Sequence, residues 1–159
     1  MVTYFVLKYV HIIGAVVLLG TGAGIAFFML MAHRTNEPVL VAGVARIVVI
    51  TDFVFTLTAV VLQPVTGALL VWWVGYSLWA GWILLSLALY VVIGLCWLPV
   101  VWLQMRMRDL AAEAAQAGTP LPAAYRALFH RWVMLGIPAF AAVLGIFWLM
   151  IARPELGFG

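Results

Sequence analysis

Four long apolar stretches, separated by short polar segments, divide this chain of 159 residues. They cover about residues 4–31, 46–74, 77–103 and 131–152. A membrane-spanning helix needs roughly 20 predominantly apolar residues, and each stretch reaches that length. The pattern predicts an all-α fold, a four-helix transmembrane bundle that forms one integral membrane domain over residues 1–159. The third connection, at about 104–130, is the only long one.

The second apolar stretch carries its polar and small residues on one helical face. Positions three or four residues apart share a side of a helix with about 3.6 residues per turn. The face consists of Asp52, Thr56, Ala59, Gln63, Thr66 and Gly67. Polar side chains are costly in hydrocarbon, so this face is predicted to point into the bundle. On the first span, Gly20 and Gly24 have the spacing that allows close approach of another helix.

Three prolines lie inside the predicted spans, namely Pro64, Pro99 and Pro138. Proline has no N–H to donate, so each frees the carbonyl oxygen four residues before it. For Pro64 that oxygen belongs to Val60. Such breaks are tolerated in membrane helices where a neighbour or water satisfies the free carbonyl. A simple kink and a cavity-forming break are both compatible with this pattern.

Composition agrees with a membrane location, because 68% of the residues are hydrophobic and only 8% are charged. The mean hydropathy is +1.23. A soluble fold of this size cannot bury so much apolar surface. The net charge is only +3, and such sparse charge is no footprint for nucleic acid. The expected partner of the chain is therefore the lipid bilayer.

The basic residues predict the orientation. Six of the eight lie in or beside the first and third connections: Arg34, Arg46, Arg106, Arg108, Arg126 and Arg131. Lys8 and Arg153 lie toward the other side. The positive-inside rule places the arginine-rich side in the cytoplasm. Both termini are then predicted on the outer, periplasmic side of a multi-pass protein in a bacterial inner membrane.

His11 is the candidate ligand within a span. At a rise of about 1.5 Å per residue, it is expected in the outer leaflet, level with Gln63, Thr66 and Ser86. A neutral imidazole is a common ligand of haem iron, so a metal or haem site at His11 is one hypothesis. A structural histidine, hydrogen-bonded between helices, is the alternative. The sixth iron ligand would be Met150, which has a suitable depth, or a histidine of a partner chain, or would be absent.

Two further histidines, His33 and His130, are predicted near the cytoplasmic surface. They are either ordinary interfacial histidines or, if the first and third connections approach each other, a second weak site.

Asp52 is a carboxyl group inside the second span, and a buried carboxylate is either paired or protonated. Arg131 has the most suitable depth for a partner, with Arg46 and Lys8 as alternatives. Lys8 can also reach the outer surface by snorkelling. Asp52 is therefore either a proton or cation site or one half of an interhelical salt bridge or hydrogen bond.

Four segments carry a resemblance to a known family: Lys8–Gly14, Ala32–Arg34, Leu62–Gly67 and Cys96–Gln104. Through them the chain resembles domain of unknown function 2269, a bacterial family of small integral membrane proteins. The resemblance extends over nearly the whole chain.

Lys8 and His11 also resemble the Lys-x-x-His-type motif in the first helix of HemJ-type protoporphyrinogen oxidases and, more loosely, of CopD membrane proteins. HemJ-type proteins are four-helix haem b proteins, so the resemblance implies that His11 holds haem b. Two positions depart from the HemJ pattern. Ser86 stands where those proteins carry a lysine, and Gly136-Ile137 stands where they carry Asn-Glu. The resemblance therefore does not extend to protoporphyrinogen oxidation.

The leading hypothesis is a haem b-binding, redox-linked membrane protein, with His11 as iron ligand and Gln63, Thr66 and Ser86 around the cofactor. Whether it is an enzyme stays open. One alternative is a non-enzymatic accessory subunit of a larger membrane complex, or a homo-oligomer, packed through Gly20 and Gly24. Another is a proton or cation pathway through Asp52.

Overall fold

A computed structural model describes residues 2–156 and shows an all-helical chain over that range. The α-helices are α1 Val2–Thr35, α2 Pro38–Thr51, α3 Leu57–Val74, α4 Gly81–Ala117 and α5 Ala123–Ala152. A π-helical turn, Asp52–Thr56, joins α2 to α3, so that Pro38–Val74 forms one second span. Within the described range, four helices are long and apolar enough to cross a membrane. This confirms the predicted four-helix transmembrane bundle.

The helices are longer than a bilayer requires. With its 37 residues, α4 is about 55 Å long, whereas the hydrocarbon core is about 30 Å thick. The connection predicted at about 104–130 consists mainly of helix ends, because α4 continues to Ala117 and α5 begins at Ala123. Gly118 ends α4 in the left-handed conformation, with φ 63°, which glycine adopts without steric cost.

The two ends of the bundle differ in what they contain. We call one the arginine-rich end; it holds the α1–α2 and α4–α5 connections. We call the other the terminal end; it holds the start of α1 and the end of α5. At the arginine-rich end, Asn36 has a left-handed backbone with φ 55°. Pro38 then lies in the first turn of α2, where its missing N–H costs nothing.

The buried apolar core lies in the arginine-rich half. It contains Ile25, Met29, Ala32, Val41, Ala45, Val48, Leu103, Met107, Ala111, Leu121, Tyr125, Phe129 and Trp132. These side chains come from α1, α2, α4, α5 and the connection before α5. Toward the terminal end, α3 packs on α1 and α4 packs on α5, with little contact between α3 and α4. Tight packing of all four spans is thus confined to one half.

One interhelical hydrogen bond follows from a proline. Pro64 lies inside α3, and the hydroxyl of Tyr90 on α4 donates to the carbonyl oxygen of Val60. This is the oxygen that Pro64 leaves without its helical donor. The phenol of a neighbouring helix therefore satisfies the break, as membrane helices require.

Candidate functional site

The polar face predicted on the second span is directed into the bundle. Asp52, Thr56, Ala59 and Thr66 are buried, and Gln63 and Gly67 are half-buried. Hydrogen bonds join this face to α1 at two levels. In the middle of the chain's first span, Thr56 Oγ1 donates to Thr21 Oγ1 at 3.3 Å. Nearer the terminal end, Gln63 and Thr66 bond to His11.

We call the three residues His11, Gln63 and Thr66 the His11 group. Gln63 Nε2 donates to the main-chain oxygen of His11 at 2.8 Å. Thr66 Oγ1 lies 2.7 Å from the carbonyl oxygen of Leu62 and donates its single proton there. His11 Nδ1, 2.8 Å from the same hydroxyl, must then donate to it. This assigns the tautomer of His11 and leaves Nε2 with a free lone pair.

Two glycines make this contact between α1 and α3 possible. A methyl group at position 14 would overlap Nε2 of Gln63, and one at position 67 would lie 3.4 Å from Cε1 of His11. By contrast, a methyl group at Gly20 would meet nothing within 4 Å. Within the described chain, the close approach of α1 and α3 therefore lies at Gly14 and Gly67. Contact of another helix with Gly20 and Gly24 stays a prediction.

Gly14→Leu is expected to lower the free energy of unfolding by about 1–3 kcal/mol more than Gly20→Leu does. The added side chain at position 14 displaces the amide of Gln63, whereas position 20 is open. Both variants gain the same helix propensity and the same apolar surface, so Gly20→Leu is the matched control. Unfolding by a denaturing detergent in mixed micelles, followed by circular dichroism, measures the difference. Equal stability of the two variants would contradict the packing described for the His11 group.

The structure leaves two predicted site residues outside the His11 group. Ser86 is buried, but its hydroxyl donates to the carbonyl oxygen of Trp82 in its own helix at 2.7 Å. Met150 is 37% exposed and belongs neither to the hydrogen-bonded group nor to the buried core. Of the residues predicted around a cofactor, the structure brings only Gln63 and Thr66 to His11 by hydrogen bonding.

A second polar cluster, which we call the Asp52 site, consists of Asp52, Thr56, Trp97 and Gln104. Asp52 and Gln104 are 2% and 1% exposed. Trp97 Nε1 donates to Asp52 Oδ1 at 3.4 Å, and the side chains of Thr56 and Gln104 lie beside the carboxyl group. Two buried acceptors have no donor among the described residues, namely Asp52 Oδ2 and Gln104 Oε1.

Of the alternatives predicted for Asp52, the structure shows the interhelical hydrogen bond, from Trp97, and no ion pair of Asp52 among the described residues. Arg131, Arg46 and Lys8 are all exposed, and the described residues contain one ion pair, Arg108 with its neighbour Asp109. Trp97 and Gln104 on α4 occupy the surroundings of Asp52 instead. Arg131 lines a shallow groove between α4 and α5.

Lys8 lies near the start of α1, where its ammonium group is 5.9 Å from the ring centre of Tyr4. This position suits the predicted snorkelling toward the outer surface. Lys8 is exposed there and therefore does not need a buried carboxyl group as its partner.

The predicted approach of the first and third connections brings His33 and His130 to one open pocket of about 540 Å³. We call it the His33 pocket; its polar walls are His33, Asn36, Arg126 and His130. The ring of His33 stacks on Phe129, with 3.7 Å between centres and 7° between planes. His33 Nδ1 is buried without a hydrogen-bond partner among residues 2–156.

His33 lies beyond the first predicted span, which ends at about residue 31. Burial lowers the pKa of His33, and the nearby charge of Arg126 lowers it further. Both effects favour the neutral imidazole, in which one ring nitrogen donates and the other accepts.

Sequence reasoning missed the π-helical turn at Asp52 and the roles of Trp97 and Gln104. In this turn the N–H of Leu57 donates to the carbonyl oxygen of Asp52, five residues back. No local sequence signal marks such a turn. The sequence does show that Gln104 lies on the same face of its helix as Trp97. Which residue it meets depends on the relative height of α4 and the second span, which the sequence does not give.

Residues 5–154 match the family described as predicted integral membrane proteins of domain of unknown function 2269. The match covers most of the chain and confirms the resemblance to this family, whereas the similarity to HemJ-type and CopD proteins stays a prediction. No curated protein and no solved structure matches the chain. Within the described range, no three His, Cys, Asp or Glu side chains are grouped as metal ligands.

Proposed function

We propose that this chain, a member of the family named domain of unknown function 2269, binds a proton inside the membrane. The family consists of predicted integral membrane proteins. In this proposal Asp52 takes up and releases a proton within the bundle. One observation carries it. The Asp52 carboxyl group is 2% exposed, has no cationic partner in the described chain, and leaves Oδ2 without a donor.

The physical argument starts from the two orphan acceptors. An unpaired carboxylate in a low-dielectric interior is strongly unfavourable, and so is a buried carbonyl oxygen without a donor. In this proposal a neutral carboxylic acid removes the unpaired charge and gains an O–H that can donate within the cluster, where Gln104 Oε1 is a buried acceptor without a donor among the described residues. Oδ1 keeps the hydrogen bond from Trp97.

A bound metal cation suits the Asp52 site less well. Calcium takes about six to eight oxygen ligands, whereas the side chains of Asp52, Gln104 and Thr56 offer only a few oxygens. A single proton needs one donor oxygen and one acceptor, which the site provides.

The backbone at Asp52 supports a functional role. The π-helical turn Asp52–Thr56 begins at the carboxyl residue itself. Single π-helical turns inside α-helices are costly and occur frequently at functional sites. The turn also separates α2, which packs on both α4 and α1, from α3, which packs on α1 and has little contact with α4. Protonation at this junction therefore acts where the second span leaves α4.

The protein reconstituted in lipid nanodiscs is expected to show the infrared C=O stretching band of a protonated carboxylic acid at neutral pH. The band is expected to disappear in Asp52→Asn, because the buried acid is lost, and to persist in Asp109→Asn. Asp109 is the matched control, because it is the chain's other aspartate, is 41% exposed and is paired with Arg108. An unchanged band in Asp52→Asn, or no band at all, would overturn the proposal.

Proton movement is a separate property and has its own measurement. Liposomes with an internal pH-sensitive dye report proton flux for the wild type, Asp52→Asn and Asp109→Asn. If only Asp52→Asn slows the flux, the site belongs to a proton pathway. Equal flux in all three, together with the infrared band, would restrict the role of Asp52 to proton binding.

A second candidate function is haem b binding at the His11 group, favoured by the tautomer of His11. Histidines that bind metal commonly donate their other ring N–H to an oxygen, as Nδ1 does to Thr66. Nε2 then has the lone pair that iron requires. One axial ligand thus fits, while Met150 stays outside the group.

When bound, haem b supplies one-electron redox chemistry. Within this candidate, Thr66 fixes the ring orientation of His11, and Gln63 holds the main chain of α1 beside α3. A Soret absorption band that depends on His11 is the test of this candidate.

A further inference from the structure

The His33 pocket has a polar end and an apolar end, aligned with the bundle axis. Arg126, His130, His33 and Asn36 form the polar part, and Leu30 and Val133 form the apolar part. Leu30 precedes His33 by one helical turn on α1, and Val133 follows His130 by one turn on α5. Because the two helices run in opposite directions, both apolar residues lie about 4–5 Å deeper in the bundle.

The polar end offers donors and positive charge without a matching acid. Arg126 is exposed and makes no ion pair among the described residues. Asn36 and His130 are exposed beside it, and no carboxyl group lines the pocket. The guanidinium fork of arginine matches the oxygen geometry of phosphate and can bind it through two hydrogen bonds.

One wall of the pocket consists of packed aromatic side chains. His33 stacks on Phe129, and Phe129 packs near Trp132 with 5.6 Å between ring centres. Phe129 and Trp132 both belong to the buried core. A ligand that enters between α1 and α5 therefore meets a preformed aromatic wall, which reduces the entropic cost of binding on that side.

We propose that the His33 pocket binds an anionic phospholipid, with the headgroup phosphate on Arg126, Asn36 and His130 and an acyl chain along Leu30 and Val133. The pocket is polar at the end of the bundle and apolar deeper inside, as a membrane phospholipid has its headgroup at the surface and its acyl chains below. Basic pockets between membrane helices are known to bind anionic headgroups. The proposal concerns a site separate from Asp52 and His11 and is independent of the function proposed for them.

Native mass spectrometry of the full chain tests this site, with titration by phosphatidylglycerol, phosphatidylcholine or inorganic phosphate. The wild type is expected to bind phosphatidylglycerol in preference to phosphatidylcholine. Arg126→Gln is expected to weaken phosphatidylglycerol binding about tenfold, the scale of one hydrogen bond to a charged group. Arg106→Gln is the matched control, because Arg106 is an exposed arginine of α4 that does not line the pocket.

Two results would overturn the lipid assignment. The first is equal binding of the two lipids, which indicates no selectivity for an anionic headgroup, or equal weakening by Arg126→Gln and Arg106→Gln, which indicates non-specific charge attraction. The second is binding of inorganic phosphate that depends on Arg126 without any preference between lipids, which assigns the pocket to a soluble phosphate compound. His130→Gln provides a second variant, with a smaller loss of phosphatidylglycerol binding expected. Circular dichroism confirms that each variant is folded.

Discussion

Tyr125→Ala is expected to lower the free energy of unfolding by about 3–5 kcal/mol, the range for deletion of a buried aromatic ring. Tyr125 is the largest fully buried side chain of the described residues. It stacks with Phe129 and His33, with 6.4 Å and 5.7 Å between ring centres. Its loss leaves a cavity where α1 and α5 meet. Detergent unfolding in mixed micelles, followed by tryptophan fluorescence, measures the change.

Tyr125→Phe separates the ring from the hydroxyl group. The Tyr125 hydroxyl is buried without a hydrogen-bond partner among residues 2–156. Burial raises the pKa of Tyr125 to about 12, so the group is a neutral phenol at neutral pH. Removing an unsatisfied hydroxyl is expected to change stability by less than about 1 kcal/mol, or to increase it. A loss as large as that of Tyr125→Ala would show that the hydroxyl, rather than the packed ring, stabilises the fold.

Phe27→Ala controls for the general effect of removing an aromatic ring. Phe27 lies on α1, the helix whose His33 stacks with Tyr125, but its own side chain is 56% exposed. Its truncation removes surface that contacts lipid rather than a packed core, so a small change is expected.

His11→Ala is expected to abolish any Soret and α bands of protein purified after haem-replete expression. The reason is that His11 is the one histidine at the terminal end, while His33 and His130 lie at the arginine-rich end. No other described imidazole can replace it as an iron ligand at that depth. Absorption spectra of the oxidised and the dithionite-reduced protein measure the effect.

Thr66→Val adds a graded test of the same candidate. The substitution keeps the shape of the side chain and removes the oxygen that accepts the Nδ1 proton of His11. Loss of such an outer-shell partner typically costs about 10–100-fold in metal affinity. Ser86→Ala is the control, since the Ser86 hydroxyl bonds only within its own helix. A wild-type spectrum without a Soret band would reject haem binding and leave His11 as a hydrogen-bonded contact between α1 and α3.

Each of the two candidate functions can be rejected without affecting the other. The infrared band concerns Asp52 in the middle of the second span, and the Soret band concerns His11 near the terminal end. No hydrogen bond among the described residues joins the Asp52 carboxyl group to the His11 group. A protein with the infrared band and no Soret band is the result expected from the proton-binding proposal alone.

The sequence by itself determined the four spans and the buried face of the second one. Both follow from properties of a single helix, namely the length of an apolar stretch and the period of its polar positions. The break at Pro64 could also be inferred from the sequence alone. The missing N–H of Pro64 frees the carbonyl oxygen of Val60, and this does not depend on the other helices. That Tyr90 satisfies this oxygen was visible only in the structure.

Tertiary structure alone decided which residues meet across helices. Asp52 was expected beside Arg131 because the two have similar depths, yet Trp97 and Gln104 lie next to it. Gly14, which the sequence did not single out, marks the close approach of α1 and α3. Depth and period leave undetermined which helices are neighbours and which of their residues face each other. Those depend on how the side chains of all four spans pack together, which is why the charged groups, the glycines and the His33 pocket were located only in the folded bundle.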